Sequence, residues 1–256
     1  MELRKHVIIT GGAKGIGEAC ARMFVRDGYC TTILDIDKSA GVTLEKELGG
    51  QARFIPCDVS KSPEVDVSIS QAIDFFGDID VLVNNAGTND YSTVTETTDE
   101  LWDYVMNVNL KSHFLCARRC IPSMQKKGKG VVVNVSSVQA YISQAKVAAY
   151  TTAKTALLGL TRSIAVDYSP NIRSVAICPG TIDTPMLQKA IRESPDPAAV
   201  LEECNDMHLT KRIGTAEEVA ELIVFVSGDK GNFITGQAIR IDGGLGVSVA
   251  GSKRDE

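Results

Sequence analysis

The chain has 256 residues, 44% of them hydrophobic and 23% charged, and carries a formal net charge of -5, a composition that suits a globular protein with a substantial core. An acidic balance with one short basic turn, Lys126-Lys127-Gly128-Lys129, argues against a nucleic-acid backbone as partner, and the turn reads as a solvated loop. No apolar run approaches the ~20 residues of a membrane span, the first apolar run is too short for a signal peptide, and seven scattered cysteines without a CxxC pair point to neither a disulfide framework nor a metal site, which implies a reducing, cytoplasmic setting.

Seven short β-branched runs follow one another: Val7 to Thr10, Thr31 to Asp35, Ala52 to Pro56, Val81 to Val83, Val131 to Val135, Ser174 to Ile177 and Ala238 to Ile241. Between the first six lie stretches of helical periodicity at Ile16 to Asp27, Ser39 to Leu48, Pro63 to Phe76, Leu101 to Lys126 and Val147 to Tyr168. Alternating strands and helices, with strands apolar on both faces, predict an α/β fold: a single doubly wound Rossmann-type domain over 1–256, with a seven-stranded parallel sheet and helices on both faces. The Pro-rich insertion Thr184 to Arg212 follows the sixth strand and reads as a small helical substrate lid. Residues 245–256 read as a tail, frayed or an interface arm.

The first strand runs into Thr10-Gly11-Gly12-Ala13-Lys14-Gly15-Ile16-Gly17 at the start of a helix, the setting of a glycine-rich phosphate loop. Gly11 takes the tight turn, Gly15 admits a pyrophosphate, Gly17 lets helix and sheet approach, and the helix N-terminus offers N–H groups, with Lys14 and Ile16 in the same loop. Asp35 ends the second strand, where a carboxylate accepts the ribose hydroxyls and repels a 2′-phosphate, so NAD is expected over NADP. Lys14 pulls the other way, because a cation in this loop attracts that phosphate. Asp58 and Val59, after the third strand, offer a carboxylate and a backbone amide to an adenine; the alternative for them is a helix N-cap region. No set of residues with metal-ligand spacing is present.

Tyr150 and Lys154 are four residues apart in a helical stretch, so phenol and ammonium share a face. A nearby cation favours a phenolate, which makes the pair a proton-transfer device. Together with the glycine loop, Asn84-Asn85-Ala86-Gly87 after the fourth strand, Ser137 thirteen residues before Tyr150, and Pro179-Gly180 after the sixth strand, this pair makes the sequence resemble the classical short-chain dehydrogenase/reductase family from about Lys5 to Leu245. The resemblance implies hydride transfer between a nicotinamide and an alcohol or carbonyl, and a homotetramer formed partly through the Leu101 to Lys126 and Val147 to Tyr168 helices. It makes Tyr150 the general acid/base, Lys154 the cation that lowers its pKa and holds the nicotinamide ribose, and Ser137 the hydroxyl that orients the substrate oxygen. Asn109, in Asn107-Val108-Asn109-Leu110, matches the Asn that holds a relay water. Asn85, Ala86 and Gly87 are similar to the segment that stabilises the sheet and lines the adenine ribose, and Pro179, Gly180, Ile182 and Thr184 to the segment that contacts the nicotinamide amide. Ser136 is passed over, since adjacent strand residues face opposite ways.

The catalytic residues do not choose a substrate. Val138-Gln139-Ala140 and Thr181 to Pro185 look similar to aldose dehydrogenases of that family, which implies oxidation of a sugar C1 hydroxyl, with Gln139, Asn89, Asp90 and Gln144 as polar partners. The apolar lid residues Met186, Leu187, Ile191, Val200 and Met207 also suit a hydroxysteroid or a 3-oxoacyl thioester, and a non-catalytic nucleotide-binding protein is a further class. His208, near the end of the lid, is expected either to hydrogen-bond substrate or to serve the structure, and His113 to sit at a packed or interface surface.

Overall fold

Residues that are apolar at every position along a strand must find cover on both sides. In the computed structural model, which describes residues 4–247, nine strands form among the described residues: β1 (His6–Thr10), β2 (Cys30–Asp35), β3 (Ala52–Pro56), β4 (Val81–Asn84), β5 (Gly130–Val135), β6 (Ile172–Pro179), β7 (Ile182–Asp183), β8 (Gly214–Thr215) and β9 (Ala238–Ile241). The two-residue strands β7 and β8 pair only with each other, and the other seven make one parallel sheet in the order β3-β2-β1-β4-β5-β6-β9. Every residue of β1, β4, β5 and β6 is buried, whereas the edge strands β3 and β9 expose part of theirs.

Alternate strand residues feed two separate apolar layers, as the period of two requires. Val7, Ile9, Ile33, Val83, Val133 and Ile177 pack under α1 (Gly15–Arg26), α2 (Lys38–Leu48) and, later in the chain, residues 216–227. Ile8, Leu34, Leu82, Val132 and Ile172 pack under α3 (Ser62–Phe76) and residues 112–127 and 148–168. Fully buried side chains such as Ile8, Ile9 and Leu82 each contribute about 1.5–3 kcal/mol relative to exposure.

The remaining helices are α4 (Asp99–Met106), α5 (Ser112–Lys127), α6 (Ala148–Tyr168), α7 (Pro185–Arg192), α8 (Pro197–Asp206) and α9 (Ala216–Ser227). Two places differ from the sequence expectation, the Leu101 to Lys126 stretch and α9, while the insertion after β6 is helical as expected. The single helix expected from Leu101 to Lys126 is two helices joined by a π-helical turn at Asn107–Lys111, which re-aims the Asn109 side chain. The insertion after β6 contains α7 and α8, each started by Pro at its first positions behind a capping side chain, Thr184 and Asp196. Helix α9 was not expected at all, although Thr215-Ala216-Glu217-Glu218 spells its capping box: Thr215 Oγ1 accepts from Glu218 N at 3.2 Å, and Glu218 Oε2 accepts from Thr215 N at 2.9 Å. Of the tail, only 245–247 fall among the described residues, as a short 3₁₀ turn; the expectation for 248–256 lies outside them.

From β1 the chain steps outward to β2 and β3 and then returns to β4 on the other side of β1. The crevice of such a sheet opens at that reversal, outside the carboxyl ends of the strands. Most of the motif residues sit there, at the ends of β1, β2, β4, β5 and β6.

Candidate active site

Two serines follow strand β5, and they divide the work by facing. Ser136 donates its hydroxyl to the Lys154 carbonyl at 2.7 Å and its backbone N–H to Ile177 O at 2.7 Å, tying α6 to the sheet. Ser137 faces the crevice instead, where its Oγ accepts the Gln139 N–H at 3.1 Å and hydrogen-bonds toward Tyr150. Tyr150 lies in the first turn of α6 and Lys154 one turn on. The Lys154 ammonium sits 5.6 Å from the Tyr150 ring centroid and donates to Val135 O at 2.9 Å.

Lys154 is 3% exposed, and burial lowers its pKa from 10.5 to about 8. Burial also raises the Tyr150 phenol, with the Ser137 hydroxyl opposing and the Tyr91 phenol reinforcing the shift. The lowered phenol expected from the sequence is therefore absent from the chain's own balance: desolvation of the anion outweighs its neighbours. Tyr91, 54% exposed, stands near Tyr150 and had no signal in the sequence. A parallel bridge between Ser92 and Val147 holds its loop against the entry to α6.

Asn109 is fully buried on the π-helical turn. Both hydrogens of its Nδ2 are used, on Thr88 O at 2.9 Å and Val105 O at 3.0 Å, and its Oδ1 accepts from Thr88 N at 3.2 Å. Its side chain thus positions the Gly87–Thr88 loop. A Cβ on Gly87 would meet Asn109 Oδ1 at 2.9 Å and lie 3.5 Å from Lys154 Nζ, so a side chain there would press on the Asn109 amide. Behind this corner Asn84 Nδ2 donates to Asn134 Oδ1 at 3.0 Å, Asn134 Nδ2 donates to Thr161 Oγ1 at 3.0 Å, and His113 Nδ1 lies 3.3 Å from Asn134 Oδ1. His113 is fully buried, and burial together with the Lys154 charge holds its pKa down at about 3, so it is a neutral core group.

At the other end of the crevice Gly11 and Gly15 adopt φ of 59° and 56°, a left-handed backbone open to glycine. A Cβ on Gly17 would lie 2.1 Å from Gly11 O. Asn85 Nδ2 donates to Thr10 O and Gly11 O at 3.1 and 2.9 Å, and the N–H groups of Asn85 and Ala86 both donate to Thr10 Oγ1 at 3.0 Å, so the loop is fastened to the end of β4. Lys14 is the N-cap of α1 and supplies no side-chain acceptor, which leaves the amides of its first turn, Gly15 to Gly17, for an anion. The Asp35 carboxylate accepts from Ala13 N at 3.0 Å and from Asp37 N at 2.9 Å. Lys14 is paired with Asp37, its Nζ 2.5 Å from Oδ2.

Asp58 accepts from the N–H and hydroxyl of Ser60 at 3.0 and 2.6 Å, with Lys61 alongside, and Val59 buries its side chain in the core. Pro179 ends β6, Gly180 N donates to Ile241 O at 3.0 Å, and Ile182 is buried. Thr184 caps α7 and stands against the glycine loop, its Cγ2 3.3 Å from where a Gly15 Cβ would be. These residues fit a dinucleotide: a glycine cradle, uncapped helix amides and a carboxylate held at the ribose position.

Beside Ser137, Gln139 lies 3.4 Å from Gln144 through Nε2 and accepts from Thr151 Oγ1 at 3.3 Å. Asn89 keeps a buried Oδ1 without a partner, and Asp90 is half-buried beside it. His208 is buried and spoken for: Nδ1 donates to Cys204 O at 2.7 Å and Nε2 accepts from Thr181 N at 3.2 Å. It joins α8 to the loop after β6, a structural post.

Residues 11–246 match the family model described as enoyl-(acyl carrier protein) reductase. An uncharacterized oxidoreductase of Thermotoga maritima is 42% identical over 244 residues, 94% of this chain and 96% of that one. The ligand-free structure of aldohexose dehydrogenase from Thermoplasma acidophilum superposes with a TM-score of 0.91 at 36% identity, covering 99% of both chains. The actinorhodin polyketide ketoreductase with NADPH gives 0.91 at 27% identity, over 96% of this chain and 98% of that one.

Proposed function

The chain belongs to the short-chain dehydrogenase/reductase family and is an oxidoreductase, and we propose that it uses NAD to oxidise the C1 hydroxyl of an aldose to a lactone. The observation that carries the substrate is the polar wall next to Ser137, made by Gln139, Gln144 and Thr151, and Asn89 keeps an unpaired side-chain oxygen. A sugar ring supplies hydroxyls to such a wall, where each unmatched group would cost about 1–3 kcal/mol. The likeness to an aldohexose dehydrogenase supports the same reading. The choice of NAD rests on Asp35 alone, since a structure similar to this one carries NADPH.

In this mechanism Ser137 and Tyr150 grip the C1 hydroxyl oxygen, and the Tyr150 oxygen takes its proton. Lys154 holds a positive charge close to that phenol and so favours the deprotonated form at the moment of transfer. Asn109 fixes the Gly87–Thr88 loop beside Lys154. The glycine loop, Asp35, Asn85, Ala86 and the Pro179 to Thr184 segment would hold the cofactor, with Asp58 and Val59 toward its adenine. A nicotinamide held there would supply the acceptor for the C1 hydride. The helices α7 and α8 close over the sugar as a lid.

A second reading is reduction of a 3-oxoacyl thioester or a steroid ketone. It is favoured by Met186, Met207 and Leu209, exposed at 49%, 40% and 59% around the insertion, and by the descriptions of the family model and of the ketoreductase. Exposed Trp102, Tyr104, Phe114 and Val166 on α4, α5 and α6 suit a subunit interface, in keeping with a homotetramer, and seven free cysteines suit a cytoplasmic setting. Reduced-cofactor formation with NAD and NADP against hexoses, 6-deoxyhexoses, hydroxysteroids and a β-ketoacyl thioester tests the proposal: turnover of hexoses with NAD is expected, and turnover confined to thioester or steroid overturns it.

A further inference from the structure

Lys14 and Asp35 make opposite demands on the adenosine ribose, and the fold resolves them through a third residue. Asp37 lies two residues past the end of β2, at the N-cap of α2, where its Oδ1 accepts the Ala40 N–H at 3.0 Å. That leaves Oδ2 for the Lys14 ammonium at 2.5 Å. The two segments are locked in register because Asp35 receives both Ala13 N, next to Lys14, and Asp37 N. Lys14 has its pKa raised chiefly by the Asp37 hydrogen bond, with Asp35 a smaller contributor, and Asp37 has its own lowered by Ala40 N–H and by Lys14.

We propose that Asp37 is a second determinant of cofactor choice, acting through Lys14. It draws the ammonium onto the start of α2, so that the glycine loop does not present a free cation to a 2′-phosphate, and it sets another carboxylate near Asp35 against that dianion. The Lys14 and Asp37 side chains are 53% and 35% exposed, so the lock is a modest, salt-screened one. Its weakness makes it a tuning element that one substitution reverses. The inference rests on the NAD reading.

The test uses the full chain and needs no turnover: calorimetric affinities for 5′-AMP and for 2′,5′-ADP at low salt. Asp37→Asn keeps an N-cap acceptor and removes the charge, with Asp37→Ser as a second capping variant should Asn perturb the fold. Either should tighten 2′,5′-ADP binding roughly 3- to 5-fold, leave 5′-AMP within about twofold, and lose most of the gain when Lys14→Met is added. An unchanged affinity ratio in both variants overturns the proposal, as does a gain that survives intact in the double variant, since the released ammonium is then not the agent. A wild-type preference for 2′,5′-ADP over 5′-AMP would overturn the NAD reading instead, and the ratio of variant to wild type would still judge Asp37.

Discussion

Replacing Lys154 by Met should inactivate the protein and, at neutral pH, make it more stable. Burial brings the ammonium from 10.5 to about 8, and at about 1.4 kcal/mol per pH unit that is a cost of roughly 3 kcal/mol carried by the folded chain below pH 8. The sign follows from counting protons. Between about 8 and 10.5 the unfolded chain holds more protons than the folded one, so stability rises with pH through that window, and the full cost is present below it. Met keeps the apolar stem but strands the Val135 carbonyl that Lys154 bonds at 2.9 Å, a loss of about 1–3 kcal/mol. The net expectation at pH 7 is a gain of about 1 kcal/mol, or roughly 2–4 °C in Tm for a chain of this size. Above pH 10.5 the gain vanishes and the variant falls below wild type by about 2 kcal/mol, because only the lost hydrogen bond remains. Urea unfolding of both proteins at pH 7, 9 and 10.5 measures this crossing. A stability difference that stays constant across the three pH values, or a variant less stable at pH 7, would mean that the buried charge is not under strain.

Tyr150→Phe should lower turnover by about 10²- to 10⁴-fold while leaving NAD affinity within twofold, read by initial rates and calorimetry. Gly17→Ala forces a methyl to within 2.1 Å of Gly11 O, and a loss of about 3 kcal/mol in urea unfolding, with weaker 5′-AMP binding, is expected. Lys211 holds φ at 56°, a left-handed backbone that disfavours a Cβ, and its exposed contact with Asp206 is worth little. Lys211→Gly should therefore stabilise the chain by up to about 1 kcal/mol in the same assay. Thr215→Ala removes half of the capping box on α9 and should cost about 1 kcal/mol.

The sheet was legible because its central strands are buried on both faces and read as unbroken β-branched runs, as Val131 to Val135 shows. Helix α9 carries a weaker signal: Leu222 to Val226 is an apolar run without a visible stripe, and only the Thr215–Glu218 box marks its start. The break at Asn107–Lys111 had no periodic signature, since a π-helical turn adds one residue to an otherwise continuous pattern. Motif residues landed at strand ends because local sequence places them there. Contacts between distant segments were invisible: Lys14 with Asp37, His208 with Thr181, and Tyr91 beside Tyr150 depend on how loops fold back over the crevice. For His208 the sequence left two readings, and its two hydrogen bonds choose the structural one.

Hydride transfer from a sugar C1 to NAD can be followed directly with a hexose carrying deuterium at C1. The expected result is reduced nicotinamide that is heavier by one mass unit, formed one for one with the lactone or its hydrolysis product, and a deuterium label absent from solvent. Deuterium that stays on the sugar, or reduced cofactor that forms only with a thioester or steroid, would contradict sugar C1 oxidation as the reaction of this site.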